Sequence, residues 1–337
     1  MTWELRWHPL RGQWVLFTSH RDARPWVGET VAPEEPPVPV DNALAPLGRR
    51  LHGTNPDYRG VYVFTNDLPV FSPDAPVPGL VAPGPAVPGP ADDVYRTRRA
   101  LGSAEVVCYH HDPTRSLADL TDDEIAAIVT TWRARTQALQ AVEGVAHVLI
   151  FENRGAAVGT SNPHPHCQIY AGAMVYATME REAEVARQHH RRTGRPILAE
   201  VIDRELDGPR VISSGEHFFA CVPWFAQYAY EVHVLPRQPV TSLLDLDDGQ
   251  CRSLALVLRD VVRRYDALWG FRLPYVLAVH QAPVGHYPHY PFHLELHPPL
   301  RAPGLRKYLA GPEVGGGSMT NESDPDQKAE ELRAALV

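Results

Sequence analysis

The 337-residue sequence predicts an α+β fold in which one structural unit occurs twice, and three observations carry that prediction. First, Glu105-Val-Val-Cys-Tyr109 and Ser116-Leu-Ala-Asp-Leu-Thr-Asp-Asp-Glu124 return as Glu231-Val-His-Val-Leu235 and Ser242-Leu-Leu-Asp-Leu-Asp-Asp-Gly-Gln250, with one offset of 126 (231 − 105 and 242 − 116). Second, each copy runs on into apolar residues spaced for one face of a helix. Third, each helix leads to an apolar strand, a loop and a strand with polar residues at alternate positions.

Taken in order, Trp3 to Thr18 alternates as strand around the turn Pro9-Leu-Arg-Gly12. Residues 29–47 and 68–91 are rich in Pro, Ala and Val with little periodicity, and read as extended arms. Between them, Asn55 to Asp67 reads as a turn followed by a strand. In the first helix Thr121 or Asp122 can cap, and Ile125, Ile128, Val129 and Trp132 form one stripe. In the second, Leu254, Leu258, Val261, Val262 and Tyr265 do the same. Phe219 to Leu235 reads as strands, Gly315 to Ser318 as a flexible turn, and Asp324 to Val337 as a short terminal helix.

The totals exclude some functions. A net charge of −8 gives no general attraction to a polyanion, so no nucleic-acid partner is expected and any phosphate site must be local. No apolar run approaches the length that spans a membrane, so none is expected as a partner. Cys108, Cys167, Cys221 and Cys251 are scattered and no secretory leader precedes Trp3, which points to a reducing, cytoplasmic location.

The chemistry concentrates between His147 and Ala171. Residues 147–151 read as a buried strand, and Asn153 to Pro163 supply glycines and short polar side chains that let backbone approach a ligand. If a strand follows at once, His164, His166 and Gln168 share a face. A neutral imidazole is a good nucleophile toward activated phosphorus. An amide can bond a phosphoryl oxygen but cannot move a proton. Two sugar phosphates exchanging on phosphorus need no proton transfer, whereas water does. His-Pro-His-x-Gln therefore fits transfer between phosphates better than hydrolysis.

Phe151 to Ala171 resembles the active-site segment of galactose-1-phosphate uridylyltransferases, the transferase branch of the histidine-triad superfamily, whose hydrolases carry a third histidine where Gln168 stands. The resemblance implies two fused histidine-triad-like units sharing an antiparallel sheet, an open half-barrel with helices packed outside. The first unit, 1–190, would carry the nucleophile, and the second, 191–337, a degenerate copy with a metal site and a hexose-contacting tail. It makes His166 the nucleophile, with Ser161 and Gln168 on the phosphoryl oxygens and Asn153 on the nucleotide side. It further implies Arg21 and Arg24 of Arg-x-x-Arg-Pro-Trp at the substrate phosphates and Asn66 of Phe-Thr-Asn in the nucleotide pocket. Lys307, Tyr308 and Glu313 would contact the hexose, although Pro312 departs from the family's tyrosine.

Two metal sites belong to the same comparison. The Cys-x-x-Cys that helps many members hold a structural zinc has no counterpart near Gly48-Arg-Arg-Leu-His52, so that site is expected to be absent and His164 to buttress His166 instead. The residues themselves suggest a second site: His293, Glu295 and His297 alternate on one strand, His280 ends the strand before, and Glu180, Glu182 or Glu184 can add a donor. The resemblance selects Glu182, His280, His293 and Glu295, with Glu295 replacing a histidine and His297 as the substitute, for one divalent zinc or iron. The expected reaction is uridylyl transfer from UDP-glucose to galactose 1-phosphate by a homodimer. The alternatives are an adenylyl donor such as ADP-glucose, or a non-catalytic metal- or nucleotide-binding protein.

Overall fold

A computed structural model of the chain describes residues 2–21, 38–39, 41–77 and 97–336. Strands β1 (Trp3–His8) and β2 (Gln13–Thr18) form a hairpin, and Gly12 takes a positive φ of 58° in its turn. Two-residue strands β3 (Arg49–Arg50) and β4 (Gly53–Thr54) make a small hairpin before β5 (Tyr62–Thr65). The first unit continues with β6 (Gly102–Cys108), α1 (Asp122–Gln140), β7 (His147–Arg154) and β8 (His166–Gly172). Helices α2 (Ala177–Thr193) and α3 (Ile197–Glu205) follow, in a stretch for which the sequence predicts no helices.

The second unit comprises β9 (Val211–Ser214), β10 (Phe218–Cys221), β11 (Val232–Pro236), α4 (Asp248–Leu268), β12 (Tyr275–His280) and β13 (His293–His297). The tail forms β14 (Leu300–Ala302), β15 (Leu305–Arg306), β16 (Thr320–Asn321) and α5 (Pro325–Ala334). Residues 311–315, beside the expected flexible turn, make a turn of π-helix.

Nine strands form one open antiparallel sheet in the order β5-β6-β8-β7-β12-β13-β11-β10-β9. The two units meet where β7 pairs with β12, Tyr275 opposite Arg154 through Val279 opposite Ile150. Around that seam β6-β8-β7 mirrors β11-β13-β12, so the repeat in the sequence is a repeat in space.

The capping signals fix the helix starts. Thr121 accepts from the Glu124 amide while Glu124 returns a bond to the Thr121 amide, and Asp247 and Gln250 do the same for α4. Each such cap contributes about 1 kcal/mol. The predicted stripes of α1 and α4 are fully buried against one face of the sheet. The offset of 126 holds for these helices but not for the strand faces. Glu105 lies on the helix side, paired with Arg135 of α1, whereas Glu231 lies on the opposite side with His233 and His297.

The opposite face differs between the units. Over the second it is sealed by the β1–β2 turn, α2 and α3, with Leu10, Ala186, Leu198, Val201 and Ile202 packed on Phe219, Cys221 and Leu235. Over the first it is partly covered by the 41–58 loop and otherwise open along β8, where His166 and Gln168 are only half-buried.

Candidate active site

Strand β8 positions the chemistry by its period of two. Cys167 and Ile169 point into the core, where Trp132 Nε1 donates to Cys167 Sγ at 3.2 Å, so His166, Gln168 and Tyr170 must point the other way. His164 precedes them on the same side of the sheet, where the 41–58 loop covers it. The regular ladder begins at His166, since Pro163 and Pro165 have no N–H to donate, and the His164 ring is buried under that loop.

There the His164 ring is fully engaged. Asn42 Oδ1 is occupied by the Leu44 amide at 3.0 Å, which turns Asn42 Nδ2 toward His164 Nδ1 at 3.1 Å. On the other side His164 Nε2 donates toward the His110 carbonyl and the Tyr58 hydroxyl, both at 2.9 Å. Burial lowers its pKa to about 4, against a smaller opposing effect of the His110 carbonyl, so the ring is neutral. Next to it, Gly48-Arg-Arg-Leu-His52 folds as the β3–β4 hairpin, with Arg50 paired to Asp67 at 2.7 Å.

The backbone carbonyl of His164 then orients the next imidazole. His166 Nδ1 lies 2.7 Å from that oxygen, which can only accept, so Nδ1 carries the proton and Nε2 presents a lone pair. Burial lowers the His166 pKa from its ordinary value despite this bond, which keeps the ring neutral near pH 7. Around it, Asn153, Thr160, Ser161 and Gln168 line one cavity with His166. Asn66 reaches the same group by donating to Gln168 Oε1 at 3.3 Å. The loop between β7 and β8 is braced by Thr160, whose hydroxyl donates to the Asn153 carbonyl at 2.5 Å. A neutral imidazole, an amide and short polar groups thus converge, as phosphoryl transfer requires.

Comparison with known proteins identifies the family. A family model described as galactose-1-phosphate uridyl transferase, N-terminal domain, matches residues 2–175, and its C-terminal counterpart matches residues 180–336. The chain belongs to the galactose-1-phosphate uridyl transferase family. A galactose-1-phosphate uridylyltransferase of Haemophilus influenzae is 34% identical to it, over 98% of this chain and 93% of the relative. Among solved structures, a uridylyltransferase mutant aligns with a TM-score of 0.79 and 24% identity, covering 99% of this chain and 97% of the other. An ADP-glucose phosphorylase from Arabidopsis thaliana aligns with a TM-score of 0.78 and 22% identity over 99% and 98%, a likeness of fold alone.

The residues that the resemblance assigns to substrate fall into two groups. His166, Gln168, Ser161, Asn153 and Asn66 are together. Arg21 and the tail residues lie elsewhere. Arg21 pairs with Glu322 at 3.3 Å, Glu322 pairs with Arg301 at 2.7 Å, and Lys307 lines a cavity with both Arg301 and Glu322. Lys307 also lies 3.4 Å from Glu313 and donates to the Thr320 carbonyl. Tyr308 is half exposed and does not line the His166 cavity, while Arg24 falls outside the described residues.

The second unit buries a charged cluster. Donor atoms of Glu182, His280, His293 and Glu295 lie within 4.8 Å of one another, a set that could hold a metal ion. Helix phase selects Glu182, which points inward between His280 at 3.0 Å and the Tyr290 hydroxyl at 2.7 Å, whereas Glu184 faces outward to Arg187. His293 Nδ1 donates to the Pro291 carbonyl at 2.6 Å, which aims Nε2 at the cluster as ligating histidines require.

His297 stands outside that set, 2.9 Å from Glu295 and 3.5 Å from Glu231. Burial opposes its charge, but these carboxylates raise its pKa to about 9. Sequence reasoning missed Arg11, which folds back from the β1–β2 turn to bond Glu295 and lies 3.7 Å from Glu182. Glu182, Glu231 and Glu295 set against Arg11 alone leave two negative charges for histidine protons or one divalent cation to offset.

Proposed function

We propose that this chain transfers a uridylyl group from UDP-glucose to galactose 1-phosphate through a covalent intermediate on His166 Nε2. The observation that carries the reading is the His166 tautomer: a carbonyl holds Nδ1–H, leaving the lone pair of Nε2 beside Gln168 in the open cavity. In the first half-reaction Nε2 attacks the α-phosphorus, the bond to the glucose 1-phosphate oxygen breaks, and that oxygen leaves with the bonding pair. In the second, a phosphate oxygen of galactose 1-phosphate attacks the same phosphorus and the N–P bond breaks, returning the electron pair to Nε2. No proton moves in either step, which accords with an amide at Gln168. Its NH2, with Ser161 and backbone N–H groups of the loop, would stabilise charge on the non-bridging oxygens.

The His164 carbonyl supports this chemistry from behind, because its bond to Nδ1–H strengthens when the ring becomes positive on phosphorylation. Asn153 and Asn66 would hold the nucleotide. Arg21, Arg24, Lys307, Tyr308 and Glu313 would serve the phosphates and the hexose. Since Arg21 and Lys307 stand apart from His166 within one chain, a homodimer in which a second copy brings such groups to the cavity is the assembly that fits. Glu182, His280, His293 and Glu295 would hold one zinc or ferrous ion, which when bound would lock α2 onto the second unit. No described helix is long and apolar enough to cross a membrane, and a cytoplasmic enzyme is the corresponding reading.

The test is to mix the protein with UDP-glucose and follow intact mass under conditions that preserve phosphohistidine, while assaying released glucose 1-phosphate. A uridylyl adduct on the native chain and none on His166→Asn is expected. No adduct and no release would leave the protein a binder, and an adduct formed faster from ADP-glucose would reassign the base.

A further inference from the structure

The amide of Gln168 can present either end to a ligand, and only the NH2 end donates. A chain of hydrogen bonds fixes the choice. The backbone N–H of Leu68 donates to Asn66 Oδ1 at 3.0 Å, so Asn66 offers its NH2, which donates to Gln168 Oε1 at 3.3 Å. A second donor meets the same oxygen: the Tyr170 hydroxyl, at 3.1 Å. Tyr170 stands two positions beyond Gln168 on β8 and therefore on the same face. Its ring is held edge-on by Phe151, with centroids 4.8 Å and planes 79° apart. A rotated amide would set its NH2 against the Asn66 NH2 and turn its oxygen toward the cavity.

We propose that Tyr170 is a positioning residue for the transfer reaction: its hydroxyl and Asn66 grip Oε1 of Gln168 from behind, so that Nε2–H faces the phosphoryl oxygens. The Asn66 bond is long, so the hydroxyl supplies the closer of the two grips. Without it only the long Asn66 bond holds the amide, which can then turn its NH2 away from the phosphoryl oxygens. The inference rests on the reading of His166 as the nucleophile.

Tyr170→Phe removes the hydroxyl and keeps the ring on Phe151. Single-turnover release of glucose 1-phosphate from UDP-glucose is measured for the wild type, Y170F, Q168A and the double variant. Losing one neutral hydrogen bond should slow Y170F by about three- to tenfold at saturating donor, with KM changed less than about twofold. The double variant should be no slower than Q168A alone, because the hydroxyl then has nothing to orient. An unchanged rate in Y170F, or an equal loss in the Q168A background, overturns the proposal. If Y170F does not fold, Tyr170→Met, which also lacks the hydroxyl, tests the same grip, and its loss must likewise vanish in Q168A. A wild type that releases no glucose 1-phosphate sinks the transfer reading and this inference with it, whereas an active wild type with an indifferent Y170F sinks the inference alone.

Discussion

His166 Nδ1 and the carbonyl oxygen of His164 stand 2.7 Å apart, so the first histidine of the pair serves the second through its backbone while its own ring is engaged elsewhere. An imidazole that is to attack phosphorus must be neutral, and burial lowers the His166 pKa below the ordinary 6.5. The uridylylation half-reaction should therefore hold its rate as pH falls from about 8 to about 6.5, then decline with unit slope once the ring protonates. Stopped-time assays of glucose 1-phosphate release across pH check this. An acid limb centred above the ordinary imidazole value would contradict it.

Gln168→His should change the fate of the intermediate. It adds a group able to move a proton beside the phosphorus, which is what attack by water needs and the present amide cannot provide. UMP release from UDP-glucose without acceptor is expected to rise by at least about tenfold, and sugar exchange to fall. Chromatography of nucleotide products reads both quantities, and no gain in UMP would show that the amide is not what suppresses hydrolysis.

Glu152 carries a separate pH signature. It is buried beneath the β7–β8 loop and accepts from the Tyr109 and Tyr275 hydroxyls at 2.9 and 3.1 Å. Burial raises its pKa from 4.5 to about 7, even with Arg154 nearby. The folded state therefore holds this proton more tightly than the unfolded chain. The resulting stability is fully present below about pH 4.5 and is lost as pH rises through about 7, a change of about 3 kcal/mol. Urea unfolding of the wild type and Glu152→Gln at pH 5 and 8 should show this component only in the wild type.

Arg11 should prove essential to the second unit. Arg11→Met leaves Glu295 without its closest cation and is expected to cost about 3–5 kcal/mol. If the Glu182, His280, His293 and Glu295 group holds a divalent ion, zinc should raise the Tm of the wild type and EDTA lower it, with metal analysis giving about one ion per chain. Replacing His293 with Ala should abolish that response. A zinc effect that survives H293A would place the ion elsewhere.

What could be read in the sequence follows from the range of the physics involved. Strand alternation is local, so the shared face of His166 and Gln168, and of His293 and Glu295, was legible, as was a cap at Thr121 or Asp122, of which Thr121 serves. The burial of His164 depends on the loop that covers it, whose Asn42 and Tyr58 lie more than 100 positions earlier in the chain. Arg11 meets a residue 284 positions away, and no local pattern announces such a meeting. On residue pattern alone Glu182 is one of three candidates, and only the phase of α2 turns it inward and Glu184 outward. The resemblance gives Arg21 to the phosphates and Lys307 to the hexose, but their common neighbour Glu322 appears only in the folded chain.

The pairing of β7 with β12 means that neither unit owns a finished boundary there. A gene cut between the units would leave each fragment with a raw row of amide and carbonyl groups along one of those strands, open to any matching strand. The matching strand at hand in solution is the same one on another fragment. Fusion of the two units into one polypeptide thus does more than tether them: it lets unlike strands meet along one line, so one half can keep the reactive ring while the other is free to diverge around its buried charges.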